Sequence, residues 1–229
     1  MARPKPEEVE ENIFWVTMTD LMMGLMMVFI VLFIQSILSA SSDAIATNQA
    51  QQEVVQEIEE VMQANDIDVV VEPNGSVKIS DLELFETNSA ELSPKGRAYL
   101  NKFIPIYFNL IYSNEILSEN IENIIVQGHT DSQTFKNAKT QNQQCLLNMN
   151  LSMRRAYAVS EYALNTNFDQ KYADKIRKSL VIEGRGSSKP IYTNGKEDLG
   201  KSRRVELVLS LKKTSDVTGI LQIFKGGKI

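Results

Sequence analysis

Cysteine and histidine are almost missing from this sequence: Cys145 and His129 are the single examples among 229 residues. One cysteine excludes a disulfide framework within the chain, although an exposed thiol could still bridge two identical chains. One histidine and one cysteine also exclude the usual clusters that hold zinc, so neither a metal nor a cofactor is expected. A concentrated basic patch is missing too, and the net charge of -5 argues against nucleic acid as a partner. There is no nucleophile elbow and no phosphate-binding loop. Ser132 beside His129 and Asp131 is no triad, because a triad is assembled in space and has no local spacing of this kind. Catalysis is not expected.

What is present is a long apolar run, Ile13 to Leu38, interrupted by one carboxylate, Asp20. About 20 apolar residues span a hydrocarbon core of roughly 30 Å as a helix, so the run predicts one transmembrane helix. An ionised Asp inside that core costs on the order of 3 kcal/mol, which marks Asp20 as a residue kept for function. At about 1.5 Å per residue it lies about 10 Å inside the run. Helical phasing puts Asp20, Met23, Gly24, Met27, Val31 and Ile34 on one face, and Gly24 would let a partner helix approach closely. Trp15 suits an interfacial anchor.

Ala44-Ile45-Ala46 resembles a signal-cleavage site. The run is too long for a signal, however, and Glu7, Glu8, Glu10 and Glu11 spoil a basic leader. Arg3 and Lys5 precede the span and no basic residue follows it until Lys78, which places the N-terminus in the cytoplasm and the bulk of the chain outside.

The rest divides by pattern. Residues 1–12 read as a short polar tail, 13–38 as the span, and 39–66 as a linker helix with Val54, Ile58, Val61 and Met62 on one side. That seam fits either weak dimerisation or packing on the next domain. From Ile67, two β-rich runs flank Asn74-Gly75, a hairpin signal. Ser93-Pro94 opens a helix carrying Leu100, Phe103, Ile104 and Phe108. A buried strand ends at Gly128-His129-Thr130-Asp131, and the polar stretch Ser132 to Leu147 reads as an insertion loop. Leu151 to Leu164 is a helix, and Leu180 to Glu183 and Val205 to Leu211 are strands. Such alternation predicts a two-layer α/β domain over 67–211. The tail, 212–229, has one apolar cluster, Ile220 to Phe224, with no function assigned.

A strand ending in Thr130-Asp131 offers a carboxylate, and a helix starting near Asn150 carries Arg155 on its second turn. An acid and a base flanking one cleft can hold an ammonium and a carboxylate of one ligand by charge-assisted hydrogen bonds. The plainer alternative is an ion pair that merely holds loop to helix.

Four motifs in order decide between them: GHTD at Gly128 to Asp131, Asn148-Met149-Asn150-Leu151-Ser152-Met153-Arg154-Arg155-Ala156, GRGSSKPI from Gly184, and SRRVELVL from Ser202. Together with LFETNSAEL at Leu84 to Leu92, they resemble the OmpA-like peptidoglycan-binding domain family. The resemblance implies a mixed sheet and a site for the diaminopimelate of cell-wall peptides. Asp131 would take its ammonium and Arg155 its carboxylate, with Thr130, Asn148 and Leu151 shaping the pocket and Arg203 and Arg204 acting as a structural clamp. The stretch Ser132 to Leu147 departs from the family, in which the Asn follows soon after Thr-Asp.

The order of tail, span, linker and wall-binding domain, with Phe14 and Trp15 ahead of Asp20, resembles the MotB/ZorB-like B subunits of ion-driven stators. That resemblance implies that Asp20 carries the translocated ion, with Thr17 and Thr19 as ion-path support and a proton favoured over sodium. It also implies a homodimer working against a multi-span MotA/ZorA-like ring, in a bacterial inner membrane with the C-terminal domain in the periplasm. Leu21-Met22-Met23-Gly24 after Asp20, and the short linker, favour a Zorya-type anti-phage motor. A flagellar stator subunit and a passive tether of membrane to wall are the alternatives.

Overall fold

The computed structural model describes residues 6–86 and 89–212, with the backbone alone at 6–13, 40, 41, 43 and 44. Arg3, Lys5, the Thr87-Asn88 centre of the LFETNSAEL loop and the tail from Lys213 lie outside the described residues. The described chain forms two compact units, one up to Ile45 and one from Ala46 to Lys212.

The first unit is helical. Helix α1, Pro6–Ala64, is helical from the first described residue and so includes residues ahead of the apolar run. Within it, Phe14–Ser39 has a mean hydropathy of 2.5 and is long and apolar enough to cross a membrane, with none of its apolar window buried inside this chain. No Gly or Pro follows Gly24 in α1, so nothing in the sequence halts the helix at the expected boundary after Leu38.

In the second unit, Ala50, Val54, Ile58 and Met62 recur one turn apart on α1 and are all buried. Val54, Ile58 and Met62 belong to the same apolar cluster as the domain's sheet and helices. Gln51 Nε2 adds a 2.5 Å hydrogen bond to the Asn74 carbonyl. Of the two expectations for this seam, packing on the domain is the one observed.

Strands β1 (Val70–Val71) and β2 (Val77–Ser80) form the expected hairpin, with Gly75 at φ 79 in the turn. Helices α2 (Asp81–Leu84), α3 (Pro94–Ser113) and α4 (Glu115–Asn120) lead to strand β3 (Ile121–His129). Helix α5 (Gln141–Asn165) and helix α6 (Ala173–Ser179) precede strand β4 (Leu180–Gly184). A small hairpin, β5 (Tyr192–Thr193) with β6 (Lys196–Glu197), and helix α7 (Leu199–Ser202) then lead to strand β7 (Arg204–Leu211). The main sheet has the order β1-β2-β7-β3-β4 and is mixed, since β3 and β4 run parallel and the other pairs antiparallel.

Alternate residues of the sheet, Val77, Ile79, Val205, Leu207, Ile124 and Val126, are buried with Leu100, Phe103, Ile104, Tyr107 and Phe108 of α3 and with Ala156 and Val159 of α5. The result is a two-layer α/β domain, as the alternation of strands and helices requires.

Helix α5 starts ten residues before Leu151, at Gln141, so the expected insertion loop is a loop only as far as Thr140. Thr140 caps it, its side chain accepting from the Gln143 amide. The glutamines that looked like loop composition instead tie the loop to the helix. Gln144 accepts from the Phe135 amide at 2.7 Å and donates to the Gln133 carbonyl at 2.6 Å, and Gln143 accepts from the Lys139 amide at 2.8 Å.

Candidate functional site

Register brings three charged residues abreast at one edge of the sheet. Central strand β7 begins at Arg204, which pairs with Ser80 at the end of β2 on one side and with His129 at the end of β3 on the other. One step beyond β2 stands Asp81, one step before β7 stands Arg203, and Thr130-Asp131 follow β3. The Asp81 amide donates to the Arg203 carbonyl at 3.1 Å, which fixes the first two.

Arg155 arrives from α5, and glycines allow its approach. A Cβ on Gly128 would collide with the Ser152 carbonyl, and one on Gly184 would stand 2.9 Å from the Met149 carbonyl oxygen. Ser152 Oγ accepts from the Gly186 amide at 2.9 Å, locking the helix to the strand ends. GHTD and GRG therefore share a backbone role, seating α5 so that Arg155, three residues after Ser152, reaches under the loop that follows α2.

Arg155 is buried. Its Nε donates to the Ser89 carbonyl at 2.9 Å, its Nη2 lies 3.1 Å from Asp81 Oδ2, and its guanidinium sits 5.2 Å from the Phe85 ring centre. Asp131, also buried, accepts from the Gln133 amide at 3.1 Å and from Arg203 Nη1 at 2.5 Å. Arg203 Nε lies 3.9 Å from Asp81 Oδ2. Asp131 and Arg155 thus share one site through Asp81 and Arg203. Burial pushes the Asp81 carboxyl up from its ordinary range against the pull of Arg155 and Arg203.

Around them, Thr130 is buried, its amide bonded to the Gly186 carbonyl at 2.9 Å and its Oγ1 without a hydrogen-bond partner among the described residues. Asn148 is buried against Gly186, and Leu151 is half-buried on α5. Arg204 is buried at the start of strand β7: its Nε lies 2.5 Å from Glu206 and its Nη1 donates to the Ser202 carbonyl at 3.0 Å. Arg203, grouped with Arg204 in the sequence, bonds to Asp131. Asp81 was not singled out in the sequence; its signal is an acid placed where the β2 run ends, opposite the SRR turn.

His129 is fully buried, and its Nε2 lies 3.7 Å from Glu206, too far for a hydrogen bond. Burial holds its pKa below the ordinary 6.5, so it is neutral in the folded protein near neutrality. Burial works against ionised Glu206, but contact with His129 and Arg204 outweighs it and holds that carboxyl at about 2. The signs then follow. Below pH 6.5 the unfolded chain gains a proton at His129 before the folded one does, so stability falls with pH, whereas the Glu206 contribution is lost only between 4.5 and about 2. The expected result is a thermal midpoint that declines as pH falls below 6.5, with His129→Gln flattening the decline in unfolding followed by circular dichroism.

In the apolar helix, Asp20 is exposed within this chain. Thr17 donates to the Phe14 carbonyl at 2.9 Å and Thr19 to the Trp15 carbonyl at 2.6 Å, so both hydroxyl hydrogens point at the helix backbone.

The sequence pattern of the OmpA family matches residues 84–205, more than half of the chain. The chain belongs to the OmpA family. Its matched region holds Asp131, Arg155, Arg203 and the glycines that seat α5, whereas Asp81 lies just before it. Beyond this domain, the chain is 28% identical to the Zorya protein ZorB of Escherichia coli strain Crooks, over 97% of this chain and 98% of that one. A ZorB from a second Escherichia coli strain is 24% identical over 90% of this chain and 83% of that protein. Among solved structures, a MotB-like protein from Desulfovibrio vulgaris aligns with a TM-score of 0.53 and 21% identity, covering 75% of this chain and 97% of that one, and it shares the fold. The ZorB-like resemblance therefore extends along nearly the whole chain, span included.

Proposed function

We propose that this OmpA-family chain is the wall-anchored B subunit of an ion-driven motor of the Zorya defence type, with Asp20 carrying a proton. The observation that carries this reading is a single carboxylate, Asp20, in the exposed and otherwise uncharged 26-residue stretch Phe14–Ser39 of a chain that also holds an OmpA-family domain. Among the described residues nothing covers Asp20, so a partner must. Gly24, one turn on, would meet nothing within 4 Å if it carried a Cβ, which leaves room for a partner's helix. A proton needs only the carboxyl; sodium would need several oxygens, and Thr17 and Thr19 alone are thin support.

Each proton crossing the membrane releases about 2.3 kcal/mol per 100 mV. Loading and unloading Asp20 would couple that energy to rotation of a multi-span ring around a dimer of this chain, with the N-terminus in the cytoplasm. The OmpA-family domain would hold the subunit still by gripping peptidoglycan, with Asp131 on the ammonium and Arg155 on the carboxylate of diaminopimelate, in a pocket framed by Thr130, Asn148 and Leu151.

Purification of the full chain with its genomic neighbours in mild detergent, with subunits counted by native mass spectrometry, tests the motor. Two copies of this chain inside a larger number of multi-span subunits is the expected result; the chain alone, or with wall fragments only, reduces it to a tether. Sedimentation with purified sacculi tests the grip. Asp131→Asn and Arg155→Gln are each expected to weaken retention by about tenfold or more, the usual cost of removing one partner of a buried charged contact.

A further inference from the structure

The two groups assigned to the ligand are not free. Asp131 is held by Arg203 at 2.5 Å and Arg155 by Asp81 at 3.1 Å, while Arg203 and Asp81 stand 3.9 Å apart. Four charges therefore alternate in one line, Asp131, Arg203, Asp81, Arg155. The side chains of Asp131, Asp81 and Arg155 are 10%, 9% and 2% exposed, and Arg203, at 30%, is the member that water reaches. Asp81 Oδ1 is buried without a hydrogen-bond partner among the described residues.

Resting on the wall-binding reading above, we propose that Asp81 and Arg203 are an internal stand-in for the ligand. In the free protein the Asp81 carboxylate fills the place of the ligand's carboxylate on Arg155, and the Arg203 guanidinium fills the place of its ammonium on Asp131. A diaminopimelate end binds by exchange of partners. Its ammonium displaces Arg203, its carboxylate displaces Asp81, and the two displaced side chains close on each other across the gap they already share.

Physical reasons favour this arrangement. A buried guanidinium or carboxylate left alone is strongly destabilising, so an unoccupied pocket needs its own counter-charges. The exchange breaks two ion pairs, forms two with the ligand and strengthens a third between Asp81 and Arg203. It also demands both charges at once: an ammonium alone would free Arg203 but leave Asp81 on Arg155, with no partner released for Arg203. Selectivity for a zwitterionic centre follows from the pair, beyond what Asp131 and Arg155 would give by themselves.

The test uses the full chain in detergent, with meso-diaminopimelate as the probe in titration calorimetry. Asp81→Asn is expected to bind about tenfold tighter than the unaltered chain while its thermal midpoint falls, opposite movements that a purely structural residue would not produce. Arg203→Gln, at the more exposed position, is expected to bind tighter as well. Folded variants that bind no tighter than the unaltered chain overturn the exchange. If the unaltered chain binds and Arg155→Gln does not, that failure leaves wall binding intact; if the unaltered chain does not bind the probe, both readings fall. Should Asp81→Asn not fold, Arg203→Gln decides alone, tighter binding supporting the exchange and equal or weaker binding overturning it.

Discussion

Asp20→Asn is expected to abolish the output of the motor while leaving the chain inserted, assembled and bound to the wall. The amide has nearly the same shape but cannot take up and release a proton, so the substitution removes charge transfer and little else. It also removes the insertion cost of a carboxylate, on the order of 3 kcal/mol, so abundance in the membrane should hold or rise. The measurement is phage plating efficiency in cells carrying the chain with its neighbours. Asp20→Asn should plate phage like cells lacking the chain, with co-purification and retention on sacculi unchanged. Full protection by the variant would sink the motor and leave a tether, for which an uncharged isostere is harmless.

Gly128→Ala should act on the domain with comparable force. The added methyl group would collide with the Ser152 carbonyl, a backbone atom of α5 rather than the end of a mobile side chain. Helix α5 cannot simply retreat, because Ser152 Oγ also holds the Gly186 amide and the next turn buries Ala156 and Val159 in the core. Overpacking of this kind typically costs 1–3 kcal/mol, and at a backbone contact on two fixed elements the upper end, about 3 kcal/mol, applies. For a chain of this size that is a fall of roughly 6–12 °C in thermal midpoint. Wall binding should fall with it, since any shift of α5 carries Arg155 out of its place beside Asp131 in the shared site. A midpoint within about 2 °C of the unaltered chain would show that the strand end yields more easily than its packing implies.

Most of this architecture was legible because it rests on local rules. The apolar run lies within one long helix, Asn74-Gly75 marked a hairpin, and Ser93-Pro94 marked the start of α3. The site was legible as a pair, Asp131 and Arg155, because each sits in a short ordered motif. Its other half was not. Asp81 lies 50 positions from Asp131 and reaches it only through the register of β2 and β3 on either side of β7, a long-range pairing that no local pattern encodes. The start of α5 was misplaced for a related reason: glutamines and a threonine are common in loops, and only the backbone groups of residues 133, 135, 139 and 143 give them work as caps and ties. Burial of Val54, Ile58 and Met62 likewise depended on a surface that the linker sequence does not contain.

The sole thiol gives the molecule a ready handle for observation. Cys145 is exposed near the start of α5, next to Gln144, whose side chain ties down the loop leading from Asp131. A maleimide dye would therefore attach once per chain, without any substitution, beside a loop that leads into the site. In the proposed two-chain motor, photobleaching steps would count the subunits, and the dye's polarisation would report whether the anchored half stays still while the proposed ring turns.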